Sequence, residues 1–227
     1  MEEEWRMPSR KTKFPKTRLS PEDWEAAALD ALTESGLAGV AIEPLARRLG
    51  VTKGSFYWHF ADREALLVAA LAHWEVSHTE SVIDALKGVS DARDRLVRLI
   101  GRGFAGGRSD RIHLALANAG HPIVRTTLER VTHRRLGYLE QCYVELGQAR
   151  REARRSALVA YAAYVGLVHL RVEAPNELPA REALTPYVEH FISKLVPSTR
   201  AATIATAERE ASAMGARSGL VESDWQS

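Results

Sequence analysis

The sequence predicts an all-α protein, and three observations carry that expectation. Between Ser20 and Pro197 every periodic stretch repeats its apolar residues at helical spacing. No stretch shows the strict alternation of a half-buried strand. The periodic stretches are separated by glycine and proline breaks, at Gly88, Gly106-Gly107, Gly120-His121-Pro122, Gly147 and Pro175 to Pro179. The 227 residues are 45% hydrophobic and 26% charged, enough for a sizeable core in one large domain or in a small domain fused to a medium one.

Each element follows from its own signals. Ser20-Pro21-Glu22-Asp23 opens the first helix: serine caps, proline fits the first helical position, and acids suit the positive end of the dipole. Trp24, Ala27, Ala28, Ala31 and Leu32 then recur on one face, and Gly36 and Gly39 stop the helix. A second helix begins near Glu43-Pro44, turns Leu45, Ala46 and Leu49 inward and ends at Gly50. Thr52 can cap a third helix. Asp62 can cap a fourth, starting at Arg63 and carrying Leu66, Leu67, Ala70, Leu71 and Trp74. Further helices are expected over 63–87, 91–105, 110–118, 122–146, 150–173 and 182–195, followed by a polar tail. The organisation read from these signals is a basic arm over 1–19, a three-helix unit over 20–66, a larger helical unit over 67–197 and a tail over 198–227.

Composition narrows the partners. Net charge is +2, so no overall field demands a polyanion, but the charge is unevenly placed. Six basic residues and no acid lie from Arg6 to Arg18, where a short arm can either track phosphates or remain a solvated terminus. Cys142 is the only cysteine, which excludes an intrachain disulfide and a cysteine-cluster metal site. No apolar run is long enough to span a bilayer and no signal-peptide core follows the N-terminus, so a soluble cytoplasmic protein with no membrane partner is expected.

The run Phe56-Tyr57-Trp58-His59-Phe60 is the most specific local feature. A helix turns about 100° per residue, so five consecutive rings spread around the cylinder while a core accepts one stripe. Phe56 and Phe60, four apart, are the natural core pair. Tyr57, Trp58 and His59 then point elsewhere, and exposed polar-tipped rings beside Lys53 suit a nucleic-acid surface. Gly50-Val51-Thr52 joins two short helices as in a helix-turn-helix. The second of these would lie in the major groove with Thr52, Lys53, Gly54 and Ser55 at its base-facing end, where backbone amides and the dipole also favour a phosphate.

Ala46-Arg47-Arg48-Leu49-Gly50-Val51, Gly54 to Phe60 and Arg63-Glu64-Ala65-Leu66-Leu67 together resemble the DNA-binding domain of TetR-family transcriptional regulators, over about the first third of the chain. The resemblance implies that Thr52, Lys53, Gly54 and Ser55 touch bases and phosphates. It implies that Tyr57, Trp58 and His59 meet the backbone or thymine methyls, and that Arg63 replaces a phosphate-binding lysine. Two positions depart from the family pattern: Ala41-Ile42-Glu43 offers only Glu43 as a cap for the second helix, and Ala61 stands where polar residues are common. One recognition helix is too small to select a genomic site. Two copies related by dimer symmetry read half-sites about 34–36 Å apart, so double-stranded DNA with a palindromic operator and a second copy of the chain are the expected partners.

The rest of the chain is expected to bind a small-molecule effector and dimerise. Residues 158–170 are apolar nearly all round, as in a helix buried on two sides, either in a dimer or in the centre of a monomer. The resemblance implies a four-helix dimer interface from the last two helices, drawing on Tyr161, Tyr164, Val165, Val168, Tyr187, Val188 and Phe191. It places a ligand cavity among the helices between 63 and 146, with Trp74, Phe104, His113, Asn118 and Tyr138 as candidate linings and a largely apolar small molecule as the effector. Repression relieved by that effector is the mechanism implied, with the fourth helix coupling the two domains. A helical interaction protein or a constitutive DNA binder is the alternative.

Gly101-Arg102-Gly103-Phe104-Ala105-Gly106 fits G-x-G-x-x-G, but Leu96, Ile100 and Phe104 continue a helix through it and no strand precedes it. No nucleophile turn or metal-ligand spacing is visible, so no enzyme activity, cofactor or metal is expected.

Overall fold

The structure is a computed structural model that describes residues 19–179 and 183–198, without the side chains at 104, 105 and 109. The basic arm up to Arg18, the tail from Thr199, the Phe104 side chain and position 182, the expected start of the last helix, lie outside the described residues. Among the described residues there are helices and turns and no strand. The chain forms two compact units, one through His73 and one from Trp74.

The first unit is built on helix α1, Pro21–Gly39. The Ser20 amide donates to Asp23 Oδ2 at 2.8 Å, so the acid three residues on closes the helix start. Gly36, at φ 64°, already breaks the helical backbone before Gly39. Helix α2, Ile42–Arg48, is closed by the turn at Gly50, whose φ of 68° favours glycine, and the next amide, Val51, returns to Ala46 O at 2.9 Å. Helix α3, Lys53–Phe56, is a single turn, shorter than the aromatic run suggests, and Thr52 makes no side-chain cap to it. Asp62 does cap helix α4, Arg63–Glu75, accepting from the Ala65 amide at 2.8 Å. The core closes on aromatic rings. Trp24 and Phe56 are fully buried, edge to face with centroids 5.3 Å apart, and Phe60 lies 5.6 Å further along.

The second unit continues from α4 without a loop. The stretch expected as one helix over 63–87 is divided: a π-helical turn, Val76–Glu80, separates α4 from helix α5, Ser81–Leu86. Helix α6, Ala92–Ala105, is capped by Asp91, which accepts from the Arg93 amide. Helices α7, Arg108–Ala117, α8, Pro122–Glu145, and α9, Arg150–Glu173, follow, then a 3-10 turn, Pro175–Glu177, and helix α10, Leu184–Leu195. Helices α8 and α9 have 24 residues each and pack along one another. Alanines 153, 157 and 160 on α9 are buried and let Cys142 and Tyr143 of α8 approach closely. Tyr143 donates its hydroxyl to Leu195 O at 2.7 Å and so fastens the end of α10.

Candidate nucleic-acid interface and effector cavity

The aromatic run divides as its spacing requires. Phe56 and Phe60 are buried, while Tyr57 is 54% and Trp58 80% exposed. Tyr57 stands edge-on to Phe56 at 5.2 Å, so the core holds its ring in place although half of it faces solvent. His59 is half-buried with its ring against Phe60. Thr52, Lys53 and Gly54 are exposed and Ser55 half-buried, all at the start of α3. Lys53 Nζ bonds Glu43 Oε1 at 2.8 Å between two exposed side chains, a pair that a phosphate can displace. A Cβ at Gly54 would meet only Thr52 Oγ1, at 3.7 Å, so nothing within the described residues requires glycine there.

Arg63 is differently employed. Its Nε donates to Val40 O and its Nη2 to Leu37 O at 2.6 Å, so the guanidinium fastens the start of α4 to the carbonyls that end α1. A phosphate would have to share a guanidinium that already holds the helices in position.

Residues 26–70 match the family model of bacterial regulatory proteins, tetR family. Over 67 residues the chain is 46% identical to the tetracycline repressor protein class A from transposon 1721 of Escherichia coli, a match covering 29% of this chain and 31% of the repressor. The HTH-type transcriptional regulator BetI of Klebsiella pneumoniae is 26% identical over 179 residues, 76% of this chain and 91% of that protein. A solved transcriptional regulator from Rhodococcus sp. Rha1 shares the fold with a TM-score of 0.62 at 22% identity, covering 78% of this chain and 94% of that one.

The N-terminal unit belongs to the TetR family.

Members of this family are DNA-binding transcriptional regulators. The match to the tetracycline repressor spans under a third of that protein's length, and the TetR family model covers residues 26–70 of this chain. No described helix is long and apolar enough to cross a membrane, and no group of metal-ligating side chains occurs among the described residues.

The second unit holds a half-open cavity of about 480 Å³, within the range of small-molecule sites. Its apolar wall includes Val82, Ile83, Leu99, Ile100, Leu139 and Leu167. Of the residues expected to line it, Tyr138 does so. Trp74 and His113 are buried, and the His113 ring lies 6.2 Å from that of Tyr164, which is on the wall. Asn118 is exposed at the end of α7, where its side-chain amide donates to Leu114 O.

Polar groups on the wall were not legible as such. Asp110 is buried, forms an ion pair with Arg171 and accepts from the Tyr164 hydroxyl at 3.2 Å. Arg171 also donates to Gly103 O at 3.1 Å. A Cβ at Gly103 would stand 3.1 Å from the Tyr164 ring, so this glycine lets α6 lie close against α9. Gly103, Gly106 and Gly107 all line the cavity, which gives the apparent dinucleotide motif a packing role in an α6 wall. Burial pushes the Tyr164 hydroxyl up to about 12 and the His113 imidazole down to about 4, so both are neutral near pH 7. Arg135 lines the cavity from α8. Val131, Arg135 and Leu139 share a face at four-residue spacing, so a cation on an inward stripe was the available signal.

The residues expected at a dimer interface point in different directions. Within one chain Tyr161 and Val168 are buried, while Tyr164 and Phe191 line the cavity. Val165 and Val188 are half-buried and Tyr187 is exposed. On α9 the outward stripe is Leu158, Ala162, Gly166 and Leu170, flanked by Val159. Leu158 and Val159 are 56% and 58% exposed.

Proposed function

We propose that the protein is a dimeric, sequence-specific DNA-binding regulator, a repressor released from a palindromic operator by a small, largely apolar effector. The observation that carries this reading is the exposed pair Tyr57 and Trp58 beside Lys53, on a turn whose other rings, Phe56 and Phe60, are core. Large exposed rings held by a rigid core are costly to solvate and suited to a partner. Thr52 to Ser55 enter the major groove, Lys53 exchanges Glu43 for a phosphate, and the tolerant surroundings of Gly54 are consistent with close approach by DNA.

The outward stripe of α9, with Tyr187 of α10, supports a dimer face, since four-residue spacing of Leu158, Ala162, Gly166 and Leu170 gives a continuous apolar ridge. Small residues at its centre permit a close helix approach. Release requires the effector to bind one dimer conformation better than the other.

The test is selection of random duplex DNA at near-physiological salt by the wild-type protein and by Tyr57→Ala. A palindrome enriched by the wild type and lost in the variant is expected. Equal enrichment by both proteins would sink the assignment of this face, and enrichment without two-fold symmetry would sink the dimeric operator.

A further inference from the structure

The cavity wall is apolar but not neutral. Arg102, Arg108 and Arg135 line it, and the one carboxylate on it among the described residues, Asp110, is already paired with Arg171. His78, also on the wall, is held below its ordinary value by burial first and then by Arg135, Arg108 and Arg102, so the three cations act on one place. Arg135 is the most deeply placed. It is half-buried, its Nε donates to Thr79 Oγ1 at 3.0 Å and its Nη2 to His78 O at 3.3 Å, and its Cζ lies 5.5 Å over the Trp74 ring. All three partners are neutral, and among the described residues no carboxylate is in ion-pair contact with it. A partly desolvated guanidinium satisfied only by neutral groups attracts an anion strongly. The Tyr138 hydroxyl, on the same wall, is shut off from solvent with no hydrogen bond of ordinary geometry, its polar neighbour being the Cys142 thiol. It is a donor awaiting an acceptor.

We propose that the cavity takes an amphipathic carboxylate, its hydrocarbon body against the leucine and isoleucine wall and its anionic group received by Arg135. This rests on the reading of the cavity as the effector site and gives that effector its charge. Because the same guanidinium is bonded to His78 O and Thr79 Oγ1, the bound charge sits one hydrogen bond from the π-helical turn that continues α4.

Isothermal titration of the full chain compares hexanoate, octanoate and decanoate with hexanol, octanol and decanol. The two series match in apolar body and differ in charge. The carboxylates are expected to bind saturably and about tenfold or more tighter than their alcohols. Arg135→Gln is expected to abolish that preference while alcohol binding persists, and Arg135→Lys to keep part of it. Should Arg135→Gln fail to fold, Arg102→Gln, at an exposed position on the wall, is expected to weaken carboxylate binding alone. Alcohols binding as tightly as carboxylates, or a preference that survives Arg135→Gln, overturns the anionic effector and leaves an apolar one standing. Binding by neither series overturns both, and DNA selection remains an independent readout of the operator reading.

Discussion

The unit through His73 and the unit from Trp74 bury different chemistry. In the first, the buried residues are Trp24, Phe56, Phe60, Val40 and a set of alanines and leucines, while Tyr57 and Trp58 face outward. In the second, Thr79, Asp110, His113 and Thr127 are buried, and these are the buried polar or charged residues among the described ones. Burying such groups costs free energy unless each finds a partner. The first unit limits that cost to the Trp24 indole nitrogen, which is buried without a hydrogen-bond partner, and leaves Tyr57 and Trp58 exposed. The second accepts it more widely, and two of the four, Thr79 and Asp110, line its cavity.

The contrast can be broken most directly at the aromatic core. Trp24→Ala should cost about 3–5 kcal/mol, because a fully buried indole packed on Phe56 leaves a cavity that cannot collapse. Thermal unfolding followed by circular dichroism reads this, and a loss under about 1 kcal/mol would mean that the first unit does not depend on its aromatic centre.

Acid should act on the second unit instead. His113 is held at about 4 by burial, with Arg135 and His169 adding to the effect, against an ordinary 6.5. Below 6.5 the unfolded chain takes up a proton that the folded chain refuses until about pH 4. Stability from this group is therefore complete above 6.5 and lost as pH falls through that window, about 3 kcal/mol by pH 4. Urea midpoints at pH 7 and pH 5 should differ less in His113→Phe than in the wild type, and an unchanged difference would remove His113 from the account.

Smaller still is the effect expected on assembly. Leu158→Glu should weaken the proposed dimer by about 1.5–3 kcal/mol per subunit, the value of one buried leucine, without altering the core of either subunit. Sedimentation equilibrium gives the answer, and an unaltered dimer would move the interface off this stripe. Trp58→Ala should change stability least, within about 0.5 kcal/mol, since 80% of the residue is already exposed. Its affinity for the selected operator should nevertheless fall, as fluorescence anisotropy would report. A stability loss as large as that of Trp24→Ala would erase the distinction between outward and inward rings.

Much of the first unit was legible because its determinants are close in sequence. Ser20 with Asp23, Gly50 with Ala46 to Val51, Asp62 with Ala65, and Phe56 with Phe60 are all within five residues of each other. Arg63 was legible as a cation but not as a positioning group, since its partners Leu37 and Val40 lie 26 and 23 residues back. The cavity was harder. Helix α9 is apolar nearly all round, so hydropathy carries no phase and could not tell inward Tyr161 and Val168 from outward Leu158 and Val159.

What the sequence determined by itself is local: the capped starts of α1 and α4, the glycine and proline breaks, and the helix-turn-helix with its divided aromatic run. Capping, glycine turns and helical spacing act over a few residues and leave their mark in any short window. What only the tertiary structure decided is which cations and hydroxyls meet around the cavity. Arg135 reaches Thr79 across 56 residues and Tyr164 reaches Asp110 across 54. Such contacts exist only once the helices have packed, because the identity of neither partner constrains the residues beside the other.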